Sequence, residues 1–75
     1  MAALRLELSP HAAERLKLRR ITREAVRQCL ANGIANGLDV NARRVQSYRF
    51  RGRLLTVVYI QVKGGVLVIT AYWGR

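Results

Sequence analysis

The sequence predicts an α+β fold: a small antiparallel sheet with two N-terminal helices packed on one of its faces, in the order β-α-α-β-β-β. Three observations carry this. Between Leu54 and Tyr72, two β-branched runs flank Lys63-Gly64-Gly65, a strong hairpin signal. Ahead of it, Ser9-Pro10 and Thr22 each open a stretch with helical apolar spacing. Between these regions, Val45 to Phe50 reads as a further strand, which Arg51-Gly52-Arg53 turns into the hairpin. The chain has 75 residues, one domain's worth and near the lower limit for a self-sufficient core.

Taken in order, Leu4, Leu6 and Leu8 alternate with Arg5 and Glu7, the pattern of a short strand with one buried face. The start, Met1-Ala2-Ala3-Leu4, is expected to run straight into the fold. Ser9 caps the first helix and Pro10 takes its first position, where a missing N–H costs nothing. Ala12, Ala13 and Leu16 form its apolar stripe. His11 and Arg15, four apart, share the neighbouring face, Leu18 falls on the His11 side, and Arg19-Arg20 closes the segment.

Thr22 caps the second helix, with Glu24 in its first turn against the positive end of the dipole. Ala25, Val26, Cys29 and Leu30 make its buried face. Asn32-Gly33 is a stop signal, with Ile34 as the trailing hydrophobic contact. Asn36-Gly37 reads as a second turn, and Leu38 to Arg44 as a loop.

A three-residue turn at Arg51-Gly52-Arg53 pairs Phe50 with Leu54 and Tyr48 with Thr56, placing both aromatics on the core side. A two-residue turn would bury Arg49 instead, so burial favours the first. With Gly64-Gly65 as the tight turn of the main hairpin, Thr56, Val58, Ile60, Val62, Leu67, Ile69, Ala71 and Trp73 share the core side. Val57, Tyr59, Gln61, Val66, Val68, Thr70 and Tyr72 share the other side, which brings three hydroxyls together. A slip of one residue exchanges these assignments.

Charge dominates the composition. Fourteen Lys and Arg stand against four Asp and Glu, for a formal net charge of +10; twelve of the bases are arginine. Arginine forks match phosphate geometry, so RNA or DNA is the favoured class of partner, with an acidic protein as its rival. The single cysteine forms no intramolecular disulfide, and Cys29 reads as a small buried hydrophobe. No apolar run approaches the length of a membrane span, and no signal peptide is visible. These features suit a cytoplasmic protein.

Much chemistry is excluded. The acids Glu7, Glu14, Glu24 and Asp39 fall on different elements, so a two-metal nuclease and a paired-carboxylate glycosidase lack their carboxylates. One histidine and one cysteine cannot build a zinc site, and no glycine-rich loop has the spacing of a nucleotide cradle. No metal or cofactor is expected. Metal-free RNA cleavage survives, because the RNA 2′-hydroxyl attacks its own phosphodiester. The protein then supplies only an acid, a base and cations for the developing charge.

Ser9-Pro10-His11-Ala12-Ala13-Glu14-Arg15, Arg20-Ile21-Thr22, Leu30-Ala31-Asn32-Gly33 and Leu67-Val68-Ile69-Thr70-Ala71-Tyr72, in this order and spacing, resemble a small bacterial family, domain of unknown function 4258. The resemblance runs from about Leu6 to Tyr72. That family is similar in layout to the RelE-like group of ribonucleases and toxins (barnase, EndoU, colicin, RelE). The resemblance thus implies a RelE-like fold and a small RNA-cleaving toxin, paired with a cognate antitoxin or other acidic protein. The positions that carry over as catalytic are His11, Arg15, Thr70 and Tyr72.

Each also has a plainer reading. His11 serves equally as a polar residue of the first helical turn, Arg15 as a solvated helix residue, Thr70 as an ordinary strand residue, and Tyr72 and Tyr59 as packing at the sheet edge. In the catalytic reading His11 is acid or base, Arg15 and Arg49 stabilise the phosphate, Thr70 hydrogen-bonds it, and Tyr72 stacks or donates a proton. Arg19, Arg20, Arg49, Arg51, Arg53 and Tyr59 are the candidate RNA-binding residues. The alternative is a non-catalytic basic module that binds nucleic acid or a partner. The catalytic reading requires His11 and Tyr72 to meet around the sheet edge, since the helices are expected to cover the face opposite Tyr72.

Overall fold

The computed structural model describes residues 5–74. Seven elements follow one another: β1 (Arg5–Leu8), α1 (Pro10–Leu18), α2 (Arg23–Asn32), β2 (Ile34–Leu38), β3 (Arg44–Phe50), β4 (Arg53–Val62) and β5 (Gly65–Gly74). The α+β class holds, with both helices packed against one sheet. The expectations for Met1 to Leu4 lie outside the described residues.

Both helices start where their caps dictate. Ser9 is extended and its hydroxyl accepts the Ala12 N–H at 3.0 Å; Thr22 does the same for Ala25 at 3.0 Å. On α1 the apolar stripe buries Ala12 and Leu16, while Ala13 and Leu18 face out, Leu18 at 67% exposure. On α2, Ala25, Val26 and Cys29 are buried and Leu30 packs against them.

The strand order is β1-β5-β4-β3-β2. Strands β2 to β5 form an antiparallel meander, but β1 lies parallel to β5, from Arg5 opposite Gly65 to Leu8 opposite Val68. This corrects the wholly antiparallel expectation. Alternation of Leu6 and Leu8 reveals a buried face but not the direction of the neighbouring strand.

The segment Ile34–Leu38 is a fifth strand rather than a hydrophobic contact followed by a turn. It pairs with β3 at Ile34, Ala35 and Leu38, and an irregularity between them absorbs Asn36 and Gly37. All five residues are exposed, so no amphipathic pattern marks the strand; Ile34, expected as a trailing contact, is 75% exposed. Gly33 ends α2 for a different reason than a left-handed cap. Its φ is −76°, but an added Cβ would collide with the carbonyls of Cys29 and Ser47.

One hairpin turn is tighter than expected and the other is shifted by one residue. Phe50 pairs with Arg53 and Tyr48 with Leu55, so Arg51 and Gly52 alone make the turn, both left-handed at φ 53° and 82°. At the other tip Val62 pairs with Gly65, so the turn is Lys63-Gly64 rather than Gly64-Gly65, and Gly64 supplies the positive φ. The β4–β5 register then shifts: Tyr59 faces Val68 but Val58 faces Thr70, leaving Ile69 as an extra residue.

The bulge reverses the phase of β5. Val66 and Val68 lie on the helix side before it, and Ala71 and Trp73 after it. On β4 the helix side takes Leu55, Val57 and Tyr59, correcting the expectation of Thr56, Val58, Ile60 and Val62. Tyr48 and Phe50 do pack against the core, as expected, because the errors in turn length and in the phase of β4 cancel. Arg49 shares the other face with Ser47, but that face carries no helix, so the tight turn leaves Arg49 exposed rather than buried.

Leu55, Val26, Val57 and Val68 are the largest fully enclosed side chains. Each such burial stabilises the fold by about 1.5–3 kcal/mol. Among the described residues, no helix is long and apolar enough to cross a membrane.

Candidate nucleic-acid interface and reaction site

One end of the molecule collects the β3–β4 tip, the α1–α2 junction and the end of β5. Its floor is aromatic. The Arg51 guanidinium lies 5.4 Å from the Phe50 ring centroid and that of Arg53 lies 4.4 Å from the Trp73 centroid. Cation–π contact holds both arginines without neutralising them. Trp73 is fixed in turn, its indole N–H donating to the Arg19 carbonyl at 2.8 Å. The Arg19 guanidinium donates to the Ala71 carbonyl at 2.7 Å, tying the end of α1 to β5. Arg20 then takes a left-handed φ of 56°, which turns the chain into α2. A cavity of about 370 Å³ opens here between the first turn of α2 and the aromatic floor.

Four expected RNA-binding residues, Arg19, Arg20, Arg51 and Arg53, therefore gather at this end, although Arg19 is partly buried and engaged with the backbone. Arg49 is exposed near the same tip, with its guanidinium 3.4 Å from the Gly52 carbonyl. Tyr59 is not part of the group. It is 8% exposed on the helix side, and its hydroxyl donates to the Gln46 side-chain carbonyl. Gln46 in turn donates to the carbonyls of Cys29 and Leu30 at the end of α2, at 3.1 and 3.0 Å. The shift that moved β4 by one residue took Tyr59 from the hydroxyl face into the core.

The expected catalytic residues lie on two adjoining elements, α1 and β5. The Ser9 N–H donates to the Val68 carbonyl at 3.1 Å, at the point where β1 stops. Among the described residues, no strand lies beside the outer side of β5 past Val68. Helix α1 lies against this half of β5, held by Ser9 at one end and by Arg19 at the other. His11 is exposed and Arg15 half-buried. Thr70 and Tyr72 point to the face without helices, opposite Val58 and Thr56 respectively; Tyr72 is 41% exposed. The two pairs thus sit on opposite faces of the sheet, with strand β5 between them.

The face without helices carries a polar row that the sequence reading missed. Asn36 donates to Ser47, the Ser47 and Thr56 hydroxyls lie 3.2 Å apart, and Tyr72 stands opposite Thr56 on the next strand. The row spans β2 to β5. Correct pairing of Ser47 with Thr56 is needed to see it, and that pairing depends on the turn length.

The family model of the domain of unknown function DUF4258 matches residues 8–73. The chain belongs to the DUF4258 family. No curated protein and no solved structure matches the chain. In this DUF4258 domain the matched span takes in both helices, the basic end and all four expected catalytic positions.

Among the described residues of the DUF4258 domain, no group of three or more His, Cys, Asp or Glu side chains is placed to hold a metal ion. Cys29 is fully enclosed, and burial pushes its thiol up to about 11. Its Sγ–H donates to the Gln46 carbonyl at 3.3 Å. A thiol so buried and so weakly acidic is not a nucleophile at neutral pH.

Proposed function

We propose that this DUF4258 domain is a toxin-like RNA-binding protein that cleaves RNA without a metal, by attack of the 2′-hydroxyl on its own phosphodiester. The observation that carries the reading is the arginine-rich aromatic end, which α1 and β5 both adjoin. From it the two elements run side by side, α1 carrying His11 and Arg15 on one face of the sheet and β5 carrying Thr70 and Tyr72 on the other.

In this reading the exposed arginines hold the phosphate backbone. His11 exchanges the proton of the 2′-hydroxyl or of the leaving oxygen. Arg15 offsets the charge on the phosphorane, and Thr70 hydrogen-bonds it. Tyr72 stacks on a base or protonates the leaving group. The positive surface also suits an acidic antitoxin, and a cytoplasmic setting suits both partners.

Expression in a bacterial host tests this. Wild type should arrest growth and fragment total RNA, and His11→Ala should abolish both while the protein remains folded. Arrest with intact RNA would reject cleavage.

A second reading, a basic module that binds RNA without cutting it, is favoured by one observation: Tyr72 and Thr70 face away from the side on which α1 packs. It predicts salt-dependent RNA binding that His11→Ala leaves unchanged.

A further inference from the structure

The cavity at the basic end differs in character from a track for phosphates. Its volume of about 370 Å³ falls within the range of small-ligand pockets. It is lined on one side by Phe50 and Trp73 and on the other by Thr22, Glu24 and Ala25, with Arg20 and Arg51 also lining it. An extended row of cations with no hollow would suffice to hold a backbone. A hollow with an aromatic wall accommodates something flat.

We infer that this slot takes one unstacked base of single-stranded RNA, with the adjoining phosphates on Arg20, Arg51 and Arg53. The inference rests on the RNA-binding reading above and names the form of RNA that fits. Three observations support it. The first is the pairing of guanidinium groups with aromatic rings, at 5.4 Å for Arg51 over Phe50 and 4.4 Å for Arg53 over Trp73. Bases splayed out of a strand stack on aromatic side chains and on guanidinium planes alike, so this end gathers both kinds of group that hold a base.

The second is the position of Glu24 in the lining. Its carboxylate, which accepts from Gln28 at 3.1 Å, repels a phosphate from the slot and accepts hydrogen bonds from a base edge. The anion therefore stays at the arginines and the neutral base goes in. The third is rigidity. Trp73 is pinned by its hydrogen bond to Arg19, and Arg51 and Gly52 form a two-residue turn, so the wall and the tip are set before any ligand arrives.

A duplex keeps its bases stacked and paired and offers the slot none. Stacking contributes about 1–3 kcal/mol per base, which corresponds to roughly 5- to 150-fold in affinity.

Trp73 is the only tryptophan, so its fluorescence reports this wall alone. The experiment titrates His11→Ala protein, to prevent cleavage, with a single-stranded 8-nucleotide RNA and separately with the same strand in a duplex. The expected result is at least fivefold tighter binding of the single strand, with quenching of Trp73. Phe50→Leu should remove most of that preference while leaving the circular dichroism spectrum native. Equal affinity for both forms, or tight single-strand binding with Trp73 fluorescence unmoved, would overturn the base site and leave RNA binding standing. Absence of binding to either form would overturn the base site together with the RNA-binding reading on which it rests.

Discussion

The indole N–H of Trp73 donates to the carbonyl of Arg19 at 2.8 Å, and the guanidinium of Arg19 returns a hydrogen bond to the carbonyl of Ala71 at 2.7 Å. These two residues close the end of α1 onto the last strand. The same lock that completes the core also presents Trp73 to the arginine-rich end. Trp73→Phe keeps the apolar ring but removes the donor. It should lower stability by about 1–2 kcal/mol, because the Arg19 carbonyl loses its partner. Urea unfolding followed by circular dichroism checks this as a lower midpoint with an unchanged slope.

Two glycines are needed for different reasons, and alanine separates them. Gly33 has a negative φ but no room, since a Cβ would meet the Cys29 and Ser47 carbonyls. Gly37 has open space around it but a φ of +84°. Gly33→Ala should cost about 1–3 kcal/mol through forced backbone movement, and Gly37→Ala about 1 kcal/mol through left-handed strain. Thermal unfolding of the two variants should rank them in that order.

Alkaline pH should expose the buried thiol. Burial raises the Cys29 pKa from 9.0 to about 11, so the folded state keeps its proton where the unfolded chain releases it. The folded state binds more protons in this window, and stability falls as pH rises. The contribution is fully present below about pH 9 and is lost by about pH 11, a decline of roughly 2–3 kcal/mol. Cys29→Ala is less stable at pH 7 because of its cavity, but the difference from wild type should shrink between pH 9 and 11.

RNA binding should weaken with salt in proportion to the phosphates neutralised. For single strands each contact contributes about 0.7 to the slope of log affinity against log salt. Arg51→Ala with Arg53→Ala should therefore reduce the slope by about 1.4. An unchanged slope would move the binding surface away from this end.

Much of the fold was legible because helix caps and β-branched runs are local signals. Ser9-Pro10 and Thr22 placed both helices, and the strand around Val57 was plain. The pairing of strands was not legible in the same way. The Lys63-Gly64-Gly65 stretch admits two turns, and Ile69 bulges where Ser9 meets β5. Neither leaves a pattern in a continuous apolar run, so Val66 and Val68 were assigned to the wrong face. Strand β2 has no buried face and hence no periodicity. The basic end was legible as arginine content. Its convergence with Trp73, however, is a tertiary fact, made by the Arg19 tie between residues 54 positions apart.

The most direct test is incubation of purified protein with a defined single-stranded RNA in excess EDTA, wild type beside His11→Ala and Tyr72→Phe. The account predicts cleavage by wild type, products ending in 2′,3′-cyclic phosphate, and loss of at least 100-fold in rate in His11→Ala, within the usual contribution of a general acid or base. Cleavage that appears only when magnesium is supplied, or that persists undiminished in His11→Ala, would contradict it.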